Sequence, residues 1–419
     1  MLALALTGCG VGGGQGADRE DADAAEGEVT GEIVFQTWNL RSGYGDYFNQ
    51  VIDDFEEENP GVTVDWRDQP AEGYEESLST DAAAGTLPDV INVDPPSAYT
   101  LASAGQLLDL SETTPEAEEE YLSDAWSGLT FEALGGGTYG YPWYLNTGPT
   151  FFNSGLLEEG GLDPDDLPST YDELFDQAMT MGENTDGATM IGRLPAIEEM
   201  DSYGVDVMND DETEFTFNNA EGVEMIQQYK DLYEAGALND SAVNAVQSEE
   251  EEAFQSGRTA MLPGSSHTLT MLRDNAPDVH ENAVMTERIT NTSPTMFMHG
   301  IGVSAESENT PAAIAFAEFV TNQQNQMDFA KESSVFPSTV DSLEDPYFQD
   351  DEGTDEGRVK VESAAQVENA VVSTPPAFPD SSKTYLHEQI AQAVMGDKPI
   401  QDALDDAVDY ANERMGETE

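Results

Sequence analysis

The sequence predicts an α/β fold, with mostly parallel sheets carrying helices on both faces. Three observations predict it. Short apolar runs such as Ile33-Val34-Phe35 and Val90-Ile91-Asn92-Val93 alternate with amphipathic stretches, which is the grammar of strand, crossover helix and parallel strand. Turn signals such as Asn59-Pro60-Gly61 separate the segments. Hydrophobic residues make up 38% of the 419, with 17 Phe and 15 Tyr, a composition and length suited to two or three cored domains.

The elements follow in order. Residues 10–31 read as a linker, because Gly12-Gly13-Gly14 leads into a run of Asp, Glu and Ala that cannot bury a core. Order begins at Glu32, with a strand ending at Trp38. The next helix carries Tyr47, Phe48, Val51, Ile52 and Phe55 on one face. Val62, Val64 and Trp66 alternate with polar residues, as in a strand. A helix over 72–84 closes at Gly85, and Val90–Val93 is a third strand. Phe151-Phe152 is a further short strand, and Thr170 with Glu173 is a capping box. Val223, Ile226, Tyr229 and Tyr233 form a helical stripe. Thr259–Leu262 and Ile301–Val303 read as strands, and Thr310-Pro311 opens a helix with Pro in its first turn. Two helices, near 382–395 and 399–415, close the chain after Pro375, Pro376 and Pro379.

Charge narrows the function classes. Lys and Arg number 14 against 85 Asp and Glu, a net charge of −71. Nucleic acid is excluded as a partner, since its phosphates would be repelled. The carboxylates are spread among periodic apolar segments, so the chain reads as folded and as adapted to a salt-rich, halophilic exterior. At molar salt the Debye length is about 3 Å, and surface carboxylates no longer repel at a distance.

Leu6-Thr7-Gly8-Cys9 carries the one cysteine of the chain. A small-residue run closing on a cysteine resembles the lipobox of secreted lipoproteins, in which the thiol receives a lipid. Residues 1–9 then read as the end of a truncated signal peptide and the lipobox, with the true start upstream. The body would hang outside the cell membrane from its lipid anchor. A lone cysteine leaves no internal disulfide framework.

Several segments, in order, carry a wider resemblance. They are Glu32–Asn39, Phe55–Val64, Ala82–Val93, Tyr139–Leu157, Ser169–Leu174, Phe254–Gly264 and Gly396–Leu404. Together they resemble the family 1 extracellular solute-binding proteins of ABC importers, the maltose- and sugar-binding type. The resemblance implies a two-lobed, type II periplasmic-binding-protein-like fold with the ligand in a cleft between lobes. The N-lobe would take 31–145 and 297–337, and the C-lobe 146–296 and 338–419. Chain crossings would fall near Asn146–Thr150, His299 and Pro337–Val340. The partners implied are a carbohydrate, a membrane permease and its cytoplasmic ATPase. A monomer without cofactor is expected.

A sugar presents apolar ring faces and outward hydroxyls, so its cleft needs flat aromatics and planar hydrogen-bonding groups. Of four Trp, Trp38 ends the first strand, where open α/β sheets place ligands. Trp143 and Tyr144 precede the first crossing. These three are the candidate stacking platforms, while Trp66 and Trp126 read as structural. Asn39, Arg41, Asp94 and Asn146 are candidate polar contacts at strand ends. Ser265, Ser266 and His267 stand where the family often has Trp, and would come from the second lobe. His299 sits at an expected crossing, and Phe378 in the Pro-rich stretch would cover the cleft. A polyamine is the alternative ligand, held by acidic and cation–π contacts.

No His-Glu-x-x-His, Gly-x-x-x-x-Gly-Lys-Ser/Thr or Gly-x-Ser-x-Gly motif occurs. Among 85 carboxylates, no pair stands out as a glycosidase acid and base. The chain reads as a binder rather than a carbohydrate-cleaving enzyme.

Overall fold

The computed structural model describes residues 24–415. Cys9 and most of the acidic linker lie outside the described residues. Two lobes follow, each an α/β layer structure with its own core.

The first lobe holds a six-stranded sheet. Its strands are β1 (Gly31–Trp38), β2 (Val62–Gln69), β3 (Val90–Val93), β6 (Tyr141–Asn146), β10 (Phe297–Val303) and β11 (Phe336–Pro337), in the order β11-β6-β10-β3-β1-β2. A two-stranded ribbon of β4 (Thr130–Phe131) and β5 (Gly137–Thr138) lies apart from it. The second lobe holds β7 (Thr150–Asn153) between β8 (Met261–Pro263) and β9 (Ala283–Thr286). No described helix is long and apolar enough to cross a membrane.

The helical faces read from the sequence are the buried ones. Tyr47, Phe48, Val51, Ile52 and Phe55 of the helix Arg41–Glu58 are buried, packed with Phe35 and Phe316 in the first core. Gly85 closes the helix Tyr74–Ala84 at φ 66°, a left-handed cap that glycine adopts without Cβ strain. Thr170 and Glu173 form the reciprocal cap of the helix Tyr171–Asn184. The closing helices run Asp380–Met395 and Ile400–Glu413, and their apolar residues join Ile226 and Tyr229 in the second core.

Strand direction departs from the mostly parallel expectation. Parallel pairing in the first sheet is confined to β1 with β2 and β3. β10 runs antiparallel to both β3 and β6, and β11 runs antiparallel to β6. In the second sheet β7 is antiparallel to β8 and β9. The reason is chain routing. β1 and β3 run toward the gap between lobes, whereas β10 enters from the second lobe and must run away from it. A parallel contact survives beside β8, where Thr189 bridges Thr259.

The crossings also differ in detail. The first runs from β6 to β7, where a Cβ on Gly148 would lie 2.1 Å from the Gly264 carbonyl oxygen; only glycine fits so close an approach. The second lies between β9 and β10, before Phe297, so His299 is a sheet residue rather than a crossing residue. The third comes later than Pro337–Val340. Leu122 N–H donates to the Ser338 carbonyl and Val340 N–H to that of Glu120, keeping 338–340 against the first lobe.

The lobes also touch directly. Tyr99 packs against apolar clusters of both lobes. The Glu212 carboxylate, from the second lobe, accepts from Glu132 N–H of the first at 3.1 Å.

Candidate functional site

The first sheet presents one edge to the gap: the carboxyl ends of β1, β3 and β6 and the amino end of β10. Trp38 closes β1 half-buried, its ring 6.1 Å from Tyr74 and 5.3 Å from His299. Tyr144 stacks on His299 at 4.8 Å. Asn92 Nδ2 lies 3.4 Å from His299 Nδ1. Burial pushes the His299 pKa down to about 4, against the opposing pull of Asp94. The imidazole is therefore neutral near pH 7 and can accept from Asn92 on Nδ1.

Asp94 follows β3 and caps the helix Pro95–Ser103, accepting from Ser97 N–H at 3.0 Å and from the Ser97 hydroxyl. It borders an opening of about 320 Å³ whose far wall is Pro376–Lys383 of the second lobe. Glu75 lines the same opening, its pKa raised by burial and then by Asp94 and Asp380.

The second sheet presents its own edge, at the starts of β7 and the ends of β8 and β9. Arg193 follows the segment that bridges alongside β8, and Arg288 follows β9 by two residues. They line a cavity of about 70 Å³ with Thr150, Glu198, Thr295 and Phe297. Arg193 is held on both sides: by Glu199 at 2.5 Å and by Glu250 at 2.9 Å. Glu199 has its pKa lowered, because the Arg193 guanidinium and the Ala196 N–H outweigh burial. Glu250 has its pKa raised by burial. Phe297, at the start of β10, keeps 54% of its surface exposed.

The structure brings Trp38, Asp94, Tyr144 and His299 together and sends other predicted residues elsewhere. Trp143 is fully buried. Its ring stacks on Phe329 at 5.5 Å and meets Phe48 at 5.7 Å, so it is a core residue and not a platform. Tyr144 meets the Trp143 ring edge-on at 4.9 Å and also touches Phe329, but β6 slips its register against β10 here: His299 pairs with Tyr144 and Gly300 with Pro142, which leaves Trp143 as the extra residue of a bulge, enclosed in the core. Arg41 lays its guanidinium over Trp66, 3.9 Å from the ring centroid, and donates to the Trp66 carbonyl; it is engaged on β2, away from the edge. Phe378 borders the opening beside Asp94, but its ring is sunk in the second core against Phe215 at 5.1 Å. It covers nothing. Trp66 and Trp126 are buried, as their structural reading predicts.

Asn39 is exposed just past Trp38, at φ 53°, a conformation that Asn tolerates. Asn146 and His267 line a separate cavity of about 560 Å³ beside the crossings. Ser265 is the cap residue of the helix Ser266–Asn275, its N–H donating to Thr268 Oγ1 at 3.0 Å. Ser266 opens that helix. The sequence reading missed Tyr74, Phe297, Arg193 and Arg288. The scarcity of cations was the available signal for the last two.

Two α/β lobes, joined by crossing segments and facing each other across polar and aromatic edges, define a two-lobed solute-binding protein. The chain belongs to the family of bacterial extracellular solute-binding proteins, which it matches over residues 50–355. A protein of Brucella abortus assigned as a binding protein is 24% identical over 264 residues, 59% of this chain. The chain spans about three fifths of that relative's length, 61%. The galactooligosaccharide-binding protein of Bacillus subtilis is 23% identical over 82% of this chain and 80% of its own. A solved structure from Synechococcus sp. MITs9220, assigned as an oligosaccharide periplasmic-binding protein, superposes with TM-score 0.78 at 25% identity, covering 91% of this chain and 98% of that one.

Proposed function

We propose that the protein captures a mono- or oligosaccharide between its lobes by hinge closure and delivers it, unchanged, to a membrane permease driven by a cytoplasmic ATPase. The observation that carries this reading is the Trp38–His299–Tyr144 wall, an ordered aromatic face at the cleft edge of the first sheet. A partly open indole suits the apolar face of a sugar ring. Phe297 offers a second exposed ring at the same edge, and Asp94 and Asn39 supply hydroxyl partners at the strand ends. The names of the Bacillus and Synechococcus relatives point the same way. A lipid on Cys9 would tether a monomer outside the cell, and the surplus of carboxylates would suit a salty exterior.

The test is a thermal-shift panel of mono- and oligosaccharides and polyamines in molar salt. A ligand that binds only the native state raises the melting point by mass action. At least one carbohydrate is expected to do so, with the rise lost in Trp38→Ala. Flat responses to every sugar overturn the reading. Glu75, Asp94 and Asp380 around one opening favour a polyamine as the second reading, and a rise with polyamines alone would establish it. Product analysis on the same sugars should return them intact; cleavage would mean an enzyme.

A further inference from the structure

Arg288 is chemically out of place. Among the described residues, every other Arg and Lys has a carboxylate within 4.0 Å or an aromatic face beneath it. Arg288 has neither, and its Nε is buried without a hydrogen-bond partner. In a chain with 85 carboxylates, a guanidinium finds a partner on almost any surface. One left unpaired is held apart from them.

The structure shows what holds it. Arg288 follows β9 by two residues, and its backbone N–H donates to Gln366 Oε1 at 2.9 Å, which pins the main chain. The nearby carboxylates are already engaged. Glu199 and Glu250 are bonded to Arg193, and Glu198 accepts from Thr374 Oγ1 at 2.7 Å. Burial lowers the Arg288 pKa even though Glu199 pulls it upward, so its charge is not fully compensated within the protein. Its side chain lines the cavity of about 70 Å³ beside the exposed ring of Phe297. That is ample for several heavy atoms, since one water needs only about 10–15 Å³ of such space.

We infer that Arg288 is a specificity residue for an acidic sugar, pairing with a carboxylate on the ligand while Phe297 lies against the sugar ring. The inference rests on the carbohydrate reading above. A neutral hydroxyl would satisfy a donor but leave the charge uncompensated when the lobes close, whereas a carboxylate meets the planar guanidinium fork with two hydrogen bonds. A phosphate, near two negative charges at neutral pH, would bring excess charge against Glu198, Glu199 and Glu250. One unpaired cation calls for one anion.

The test uses titration calorimetry with a panel of uronate oligosaccharides (oligogalacturonate, oligomannuronate and glucuronate-containing disaccharides). Methyl-esterified oligogalacturonate, neutral oligosaccharides of equal length and a sugar phosphate serve as comparators. At least one uronate is expected to bind at least tenfold tighter than its neutral counterpart. Arg288→Gln should remove that preference, bringing the uronate and its neutral counterpart to within twofold of each other. The inference is overturned if neutral sugars bind and no uronate binds better, if the sugar phosphate binds best, or if Arg288→Gln keeps the preference. Should Arg288→Gln fail to fold, the contrast between free acid and methyl ester on the unaltered protein decides alone. Absence of binding by acidic and neutral sugars alike marks failure of the carbohydrate reading itself, and this inference falls with it.

Discussion

The phenol ring of Tyr144 lies 4.8 Å from the imidazole of His299, 28° from parallel. These residues come from antiparallel strands paired in register. Trp38 reaches the same imidazole from β1 at 5.3 Å. The wall is therefore built from three strands and owes its position to the sheet, not to a loop. Rigid elements hold binding groups more closely than loops do.

Trp38→Ala should remove the stacking face and leave a folded protein, since the indole is only half-buried. An aromatic contact of this kind contributes on the order of 1 kcal/mol beyond its buried area. We expect at least a tenfold loss of carbohydrate affinity by calorimetry with an unchanged circular-dichroism spectrum. Unaltered affinity would remove Trp38 from the site.

Trp143→Ala should act differently. The ring is fully enclosed against Phe48 and Phe329, and truncating such a residue costs about 3–5 kcal/mol. Denaturant unfolding should show that loss. If stability is unchanged while ligand affinity collapses, the buried assignment is wrong.

His299 gives a pH dependence with a defined sign. Its folded pKa, about 4, lies below the ordinary value of 6.5. Between those values the unfolded chain binds a proton that the native state does not. Stability from this group is complete above pH 6.5, falls as pH drops, and is lost below about 4. The amplitude is on the order of 3 kcal/mol. His299→Gln should flatten this part of the curve, and titration of the His299 ring followed by nuclear magnetic resonance should give a midpoint well below that of a solvent-exposed histidine.

Glu212 bridges the lobes. Its carboxylate accepts from Glu132 N–H at 3.1 Å. Glu212→Ala removes this contact at a cost of about 1 kcal/mol. Small-angle scattering of the ligand-free variant should show a larger radius of gyration, and ligand affinity should fall roughly fivefold. A radius equal to that of the unaltered protein would show that the contact does not hold the lobes together.

The net charge of −71 implies self-repulsion that salt relieves. The thermal midpoint should rise steadily from low to molar salt. A midpoint indifferent to salt would remove the halophilic reading.

Much of the fold was legible because its signals are local. Tyr47, Phe48, Val51 and Phe55 share a face by helical period alone, and the cap at Thr170 needs only Glu173 beside it. The site was legible in part. Trp38 and Asp94 follow short apolar strands, and strand ends are where such sheets meet ligands. Trp143 misled because its neighbour Tyr144 carries the same kind of ring, and only the shifted pairing of β6 with β10 decides which of the two is fully enclosed. Arg193 and Arg288 had no local signature, as their shared cavity depends on segments far apart in the chain.

By itself the sequence determined the alternation of strand and helix, the faces each helix buries and the acidic surface, since these follow from spacing and composition. Tertiary structure alone decided strand direction, the burial of Trp143 and the isolation of Arg288. Those depend on which distant segments lie side by side, and a residue's neighbours across a sheet are set by long-range register that no local pattern encodes.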